Sequence, residues 1–96
     1  MMIKHVVMWR FKQPKEENLH KTVELLQSLP EKIDAIKTLE TGVNVNTTDA
    51  AYELVLITTH DNMDKLKEYA NHPEHLQAAE FIKSAASERV VVDYEF

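Results

Sequence analysis

Cysteine is absent from the chain. Disulfides and thiol chemistry are thereby excluded, and cysteine usage says nothing about compartment. Glycine occurs once, at Gly42, and proline three times, at Pro14, Pro30 and Pro73. No linker, repeat or low-complexity stretch interrupts the sequence. No apolar run approaches the roughly 20 residues of a membrane span. Positive charge is in short supply: 11 Lys and Arg face 16 Asp and Glu, a formal net charge of -5. That balance argues against a nucleic-acid or anionic-membrane surface, because both call for basic patches. What is present is an ordinary soluble composition, 44% hydrophobic and 28% charged. The 96 residues suit a single domain over 1–96. So short a chain buries a modest share of its surface, and a partner subunit would help it. The start, Met1-Met2-Ile3-Lys4-His5, runs directly into a strand-like segment without a signal-peptide pattern, so a cytoplasmic location is expected.

Ile3 to Lys12, rich in β-branched and aromatic residues and bounded by Pro14, predicts a first strand. Glu16 to Leu29 places Leu19, Val23, Leu26 and Leu29 at roughly helical spacing and ends at Pro30. Leu39 to Asn46 predicts a second strand, Asn46 to Asp49 its turn, and Tyr52 to Thr59 a third strand. Asp61 is the expected N-cap of a helix with Met63, Leu66 and Tyr69 on one face. Pro73 stops that helix and is welcome at the first position of another, running to about Ser84 with Leu76, Ala79 and Ile82 inward. Arg89 to Glu95 is the expected last strand. The order is that of an α+β fold, ferredoxin-like βαββαβ with an antiparallel sheet.

Side chains alternate across a strand. One face of the first strand holds Ile3, His5, Val7, Trp9 and Phe11; the other holds Lys4, Val6, Met8, Arg10 and Lys12. The first, richer set is expected under the helices. Val6 and Met8 would remain on the open face, joined by Val55, Ile57 and Val91. Burying each such side chain is worth roughly 1.5–3 kcal/mol, and leaving all five wet makes an exposed apolar patch. Lys4, Arg10, Glu53, Arg89 and Asp93 are expected on the same face, pairing across a two-fold axis. A homodimer, two sheets face to face in a dimeric α/β-barrel, follows from this reading.

Three features bear on chemistry: His5, Tyr69 and the run His72-Pro73-Glu74-His75. His5 reads either as a core histidine satisfied by one hydrogen bond or as a group that helps orient a substrate. His72 and His75 are three apart, but Pro73 breaks the helix between them and no third ligand sits at a familiar spacing, so no metal site is predicted. His72 reads as a helix-boundary residue. His75 falls in the first turn of a helix, where the dipole disfavours imidazolium, and a neutral, positioned imidazole can serve as a general base. Tyr69 ends the preceding helix; its hydroxyl could donate to a carbonyl oxygen that gains negative charge, or simply cap an amphipathic core residue. Trp9 either stacks on a planar ligand or fills the core. His20 and His60 read as a helix-surface and a strand-end residue.

The opening Ile3-Lys4-His5-Val6-Val7-Met8-Trp9-Arg10-Phe11-Lys12, the segment Tyr69-Ala70-Asn71-His72-Pro73-Glu74-His75 and the close Val91-Val92-Asp93-Tyr94 resemble the stress-responsive A/B-barrel domain family over essentially the whole chain. The paired motifs are fairly specific; either alone is weak. The resemblance implies a ferredoxin-like homodimer with any site between sheet and helices of each subunit. Most members have no assigned activity. One branch, similar to olivetolic acid cyclase, closes a polyketide thioester by aldol condensation, and its catalytic Tyr and His fall on Tyr69 and His75, with a further His on His5. This chain departs from it at Leu54, where the cyclase has a pocket histidine, and at His60, where an aromatic is usual.

The leading expectation is therefore a family protein of unassigned activity with a small-molecule pocket lined by Val7, Trp9, Val23, Leu26 and Leu56, no cofactor, and an apolar or keto-type ligand. The alternative is a small enzyme of polyketide cyclase, isomerase or decarboxylase type, with His75 as base, Tyr69 as oxyanion donor and His5 orienting the substrate. A third, haem- or oxygen-dependent monooxygenase, rests on fold analogy alone.

Overall fold

The computed structural model describes residues 1–96. The elements are β1 (Ile3–Phe11), α1 (Lys15–Gln27), β2 (Thr38–Val43), β3 (Leu54–His60), α2 (Met63–Asn71), α3 (Pro73–Ala85) and β4 (Ala86–Glu95). The strands form one antiparallel sheet in the order β2-β3-β1-β4, the ferredoxin-like arrangement. The helices cover the face that carries Ile3, His5, Val7, Trp9 and Phe11 from β1 and Leu54, Leu56, Thr58 and His60 from β3, all of them buried.

Several boundaries differ from expectation for local reasons. β2 stops at Val43 because the next residues bond to their own backbone. The Asn44 side chain accepts from the Asn46 N–H and that of Asn46 from the Thr48 N–H, both at 3.0 Å, which turns the chain away from the ladder. The N-cap of α2 is Asn62, not Asp61: Asn62 Oδ1 accepts from the Lys65 N–H at 2.9 Å. Asp61 instead pairs with Lys37 at 3.1 Å. β4 follows α3 without a loop, beginning at Ala86 rather than Arg89. In α3 the inward stripe is His75, Ala78, Ala79 and Ile82, while Leu76 is exposed. One residue is a turn of about 100° around a helix, so an error of one position moves a side chain to another face. Leu29, expected in the first helix, lies just past the end of α1, and it is buried in the core with Ile33, Ala35 and Ile36 from the following segment, for which periodicity predicts no element.

The open face of the sheet is apolar along its centre. In the ladders, Val6 lies opposite Ile57 and Val92, and Met8 opposite Val55 and Val90. Met8 is 38% exposed and Val92 62%. Val91 is not on this face: it pairs with Val7 and so shares the helix side. The same register moves Arg89, opposite Trp9, and Asp93, opposite His5, to the helix side. The three consecutive valines of β4 carry no alternation, so only pairing with β1 sets their parity. Of the other charges expected to bridge a two-fold axis, Arg10 pairs with Glu88 at 2.9 Å. Glu53 accepts from the Phe11 N–H at 2.8 Å. Both therefore have partners within the chain.

Candidate functional site

Between the sheet and α3 lies a cavity of about 510 Å³. It exists because α3 presents alanines to the sheet. Ala78 and Ala79 let the helix cross the strands without filling the space beneath it, while Leu26 from α1 and Leu56 from β3 close the inner wall. Val7 and Trp9 form the floor. Val23, expected in this wall, is not part of it. α1 turns Thr22 and Leu26, four residues apart, fully inward, which leaves Val23 half-buried at the edge of the core.

One end of the cavity is polar, and its centre is Tyr69. The ring is 1% exposed, and the Oη atom is buried without a hydrogen-bond partner. Burial pushes the phenol up to about 12, with Arg89 opposing, so the hydroxyl is a neutral donor at ordinary pH. Three imidazoles surround it, with ring centroids 4.5 Å away for His75, 5.1 Å for His60 and 6.0 Å for His5.

Hydrogen bonds assign the tautomer of each histidine. His75 Nδ1 lies 3.0 Å from the Ala70 carbonyl. A carbonyl only accepts, so Nδ1 carries the proton and Nε2 keeps its lone pair. Burial lowers the His75 pKa, the Arg89 guanidinium acts in the same direction, and the Ala70 bond opposes. His75 is thus a neutral imidazole with a free basic nitrogen at the cavity wall. His5 Nδ1 donates to Asp93 Oδ1, and its Nε2 has no hydrogen-bond partner in the chain.

His60 is a different case. It is fully buried rather than a strand-end surface residue. Its Nδ1–H donates to the Ala35 carbonyl at 2.8 Å, and its Nε2 accepts from the Thr58 hydroxyl at 2.8 Å. Both nitrogens are consumed, so His60 is a structural support for Tyr69. Desolvation lowers its pKa. His72 is the N-cap of α3, its Nδ1 accepting from the Glu74 N–H at 3.1 Å. No three His, Asp or Glu side chains converge in a way that could hold a metal ion.

The structure thus brings together Tyr69, His75 and His5, with Val7, Trp9, Leu26 and Leu56 beside them. Asp93, His60, Arg89 and the two alanines lie outside what local patterning predicts. Only the β1–β4 register could have pointed to Asp93 and Arg89, and that register is invisible in a strand with three valines in a row.

The model of the Stress responsive A/B Barrel Domain family matches residues 3–96, nearly the whole chain. The chain belongs to this family. Its Tyr-x-x-His-Pro-x-His run spans the α2–α3 junction that carries Tyr69 and His75. A dimeric ferredoxin-like protein of unknown function from Bacteroides fragilis is 36% identical, covering 99% of this chain and 96% of that one, with a TM-score of 0.85. An uncharacterised protein of Streptomyces coelicolor is 29% identical, covering 99% of this chain and 100% of that one. A hydroxynitrile lyase from Passiflora edulis shares the fold at 16% identity, covering 97% of this chain and 91% of that one, with a TM-score of 0.86. These A/B-barrel relatives bring no established activity to the chain, and no helix in it is long and apolar enough to cross a membrane.

Proposed function

We propose that this A/B-barrel protein is a single-domain homodimer that binds a small carbonyl compound in the cavity of each subunit. The observation that carries the reading is the Tyr69 hydroxyl, buried at the cavity wall with no protein acceptor. An unmet buried hydroxyl costs about 1–3 kcal/mol, and a ligand carbonyl oxygen would relieve that cost. The apolar lining suits a hydrocarbon body. Pairing through the open sheet face is supported by the exposed apolar residues there and by the dimeric Bacteroides fragilis relative. A cytoplasmic setting belongs to the same proposal. Trp9 is the sole tryptophan and lines the cavity, so its emission reports occupancy. Titration with 2-octanone is expected to change that emission in the natural protein and to require a higher concentration in Tyr69→Phe. Equal affinity in both proteins would refute the role given to Tyr69.

A second reading, catalysis, is favoured by the free Nε2 of His75. In it, Nε2 takes a proton from the carbon beside the ligand carbonyl. The released electron pair forms a carbon–carbon double bond, and the carbonyl oxygen becomes an enolate oxygen that receives the Tyr69 hydrogen bond. His5, held by Asp93, orients the ligand. Exchange of the ketone's α-hydrogens for deuterium in D₂O, followed by NMR, is expected to accelerate with the natural protein and to lose that acceleration in His75→Ala. Undiminished exchange in that variant would exclude His75 as base.

A further inference from the structure

We infer that the cavity takes a carbonyl compound that also bears a carboxylate, with Arg89 at the mouth holding the carboxylate while the carbonyl oxygen lies at Tyr69. The inference rests on the proposed carbonyl-binding role and adds the class of ligand.

The cavity has two polar ends. Tyr69, His75 and His5 make the inner one. The outer one is built on the β1–β4 ladder, where Arg89 lies directly opposite Trp9 on the helix side of the sheet. Directly opposed residues have their Cβ atoms about 4.5–5.5 Å apart. Trp9 is 4% exposed, and its Nε1–H is buried without an acceptor. Arg89 makes no ion pair within the chain and lines the cavity, so its guanidinium is open to an acceptor from outside. Glu88, the acid nearest to Arg89 in sequence, is committed to Arg10. A guanidinium and an indole N–H without acceptors, side by side at a cavity mouth, are two donors for one acceptor-rich group. A carboxylate, with two oxygens and no donor, fits them. Lys83, also at the mouth, adds a second positive charge. Glu88 also lines the cavity, but its carboxylate is paired with Arg10, so the unpaired charges there, Lys83 and Arg89, are both positive.

The spacing selects the kind of molecule. His5 and Trp9 are four residues apart on β1, roughly 13 Å at the rise of a strand, and the flexible Arg89 side chain shortens the gap. Between the ends the wall is Val7, Leu26, Leu56, Ala78 and Ile82. An oxo acid with a medium-length aliphatic chain matches this order of groups: carbonyl, hydrocarbon, carboxylate.

Three probes test it through Trp9 emission: 7-oxooctanoate, its methyl ester and 2-octanone. The natural protein is expected to bind the acid about tenfold or more tighter than the ester, the factor for one hydrogen bond between charged groups. The preference should shrink as salt is raised, because the mouth is open to solvent. Arg89→Gln should remove the preference, so that acid and ester bind that variant with similar affinity. Tyr69→Phe should weaken acid and ester by a common factor and keep the preference. If ketone and ester bind and respond to Tyr69→Phe but the acid gains nothing, or if Arg89→Gln retains the preference, the carboxylate site is wrong and the carbonyl site stands. If none of the three perturbs Trp9, both fall.

Discussion

Asp93 holds His5 from across the β1–β4 ladder, although the two residues are 88 positions apart in the chain. The Asp93 carboxylate accepts from Nδ1, which aims the imidazole and leaves Nε2 free. Asp93 is thus a positioning residue within the proposed site. Asp93→Asn and His5→Ala are each expected to weaken 2-octanone binding, and the double variant to be no weaker than His5→Ala alone, because Asp93 acts through His5. Titration of Trp9 emission in the three variants measures this. Additive losses would separate the two residues.

In the proposed role, Tyr69 trades stability for binding. Its hydroxyl is buried with no partner, so Tyr69→Phe removes an uncompensated polar group without changing the packed ring. The ligand-free variant is expected to be more stable by about 1 kcal/mol, a rise in Tm of roughly 4–8 °C for a domain of this size. Calorimetry at equal protein concentration checks it. A lower Tm would mean the hydroxyl has an acceptor in the empty protein.

Acid should destabilise the fold through His60 and His75. Both have pKa values lowered in the folded state, chiefly by burial, from an ordinary 6.5. Above 6.5 both states hold these rings neutral and the stability is fully present. As pH falls through 6.5 the unfolded chain takes up protons that the folded one refuses, so stability drops, by up to about 1.4 kcal/mol per pH unit for the fully buried His60 and by less for His75, which water screens in part. The loss continues down to the lowered folded values. Urea unfolding at pH 7.5, 6.5 and 5.5 should give that slope, and His60→Asn should make it shallower. An unchanged slope in His60→Asn would remove His60 from the account.

The open sheet face should respond to charge. Val92 stands among Val6, Val90 and Met8 with more than half of its surface exposed. Val92→Asp is expected to convert a dimer into monomers at micromolar concentration, because a carboxylate buried in an apolar contact has no partner. Sedimentation equilibrium reads the mass directly. A natural protein that sediments as a monomer would overturn the dimer reading.

Much of the architecture was legible in residue order. Alternation along β1, the prolines at the helix limits and the spacing of Leu66 and Tyr69 are local signals, and they led to the element order and to Tyr69 and His75 on either side of the α2–α3 break. Local signals also misplace a residue by one position, as at the Asp61 cap and at Leu76, and elsewhere no local signal exists. Val90, Val91 and Val92 do not alternate, so Arg89 and Asp93 were expected on the wrong face.

Residue types and their short-range periodicity suffice for elements, for the fold class and for the pair of groups that flank Pro73, since propensity and patterning act over a few residues. The facing of β4, the burial of His60 against Ala35, and the space left under Ala78 and Ala79 belong to the folded chain. They depend on strand register and helix placement, which bring together residues dozens of positions apart and are set by how the whole core packs.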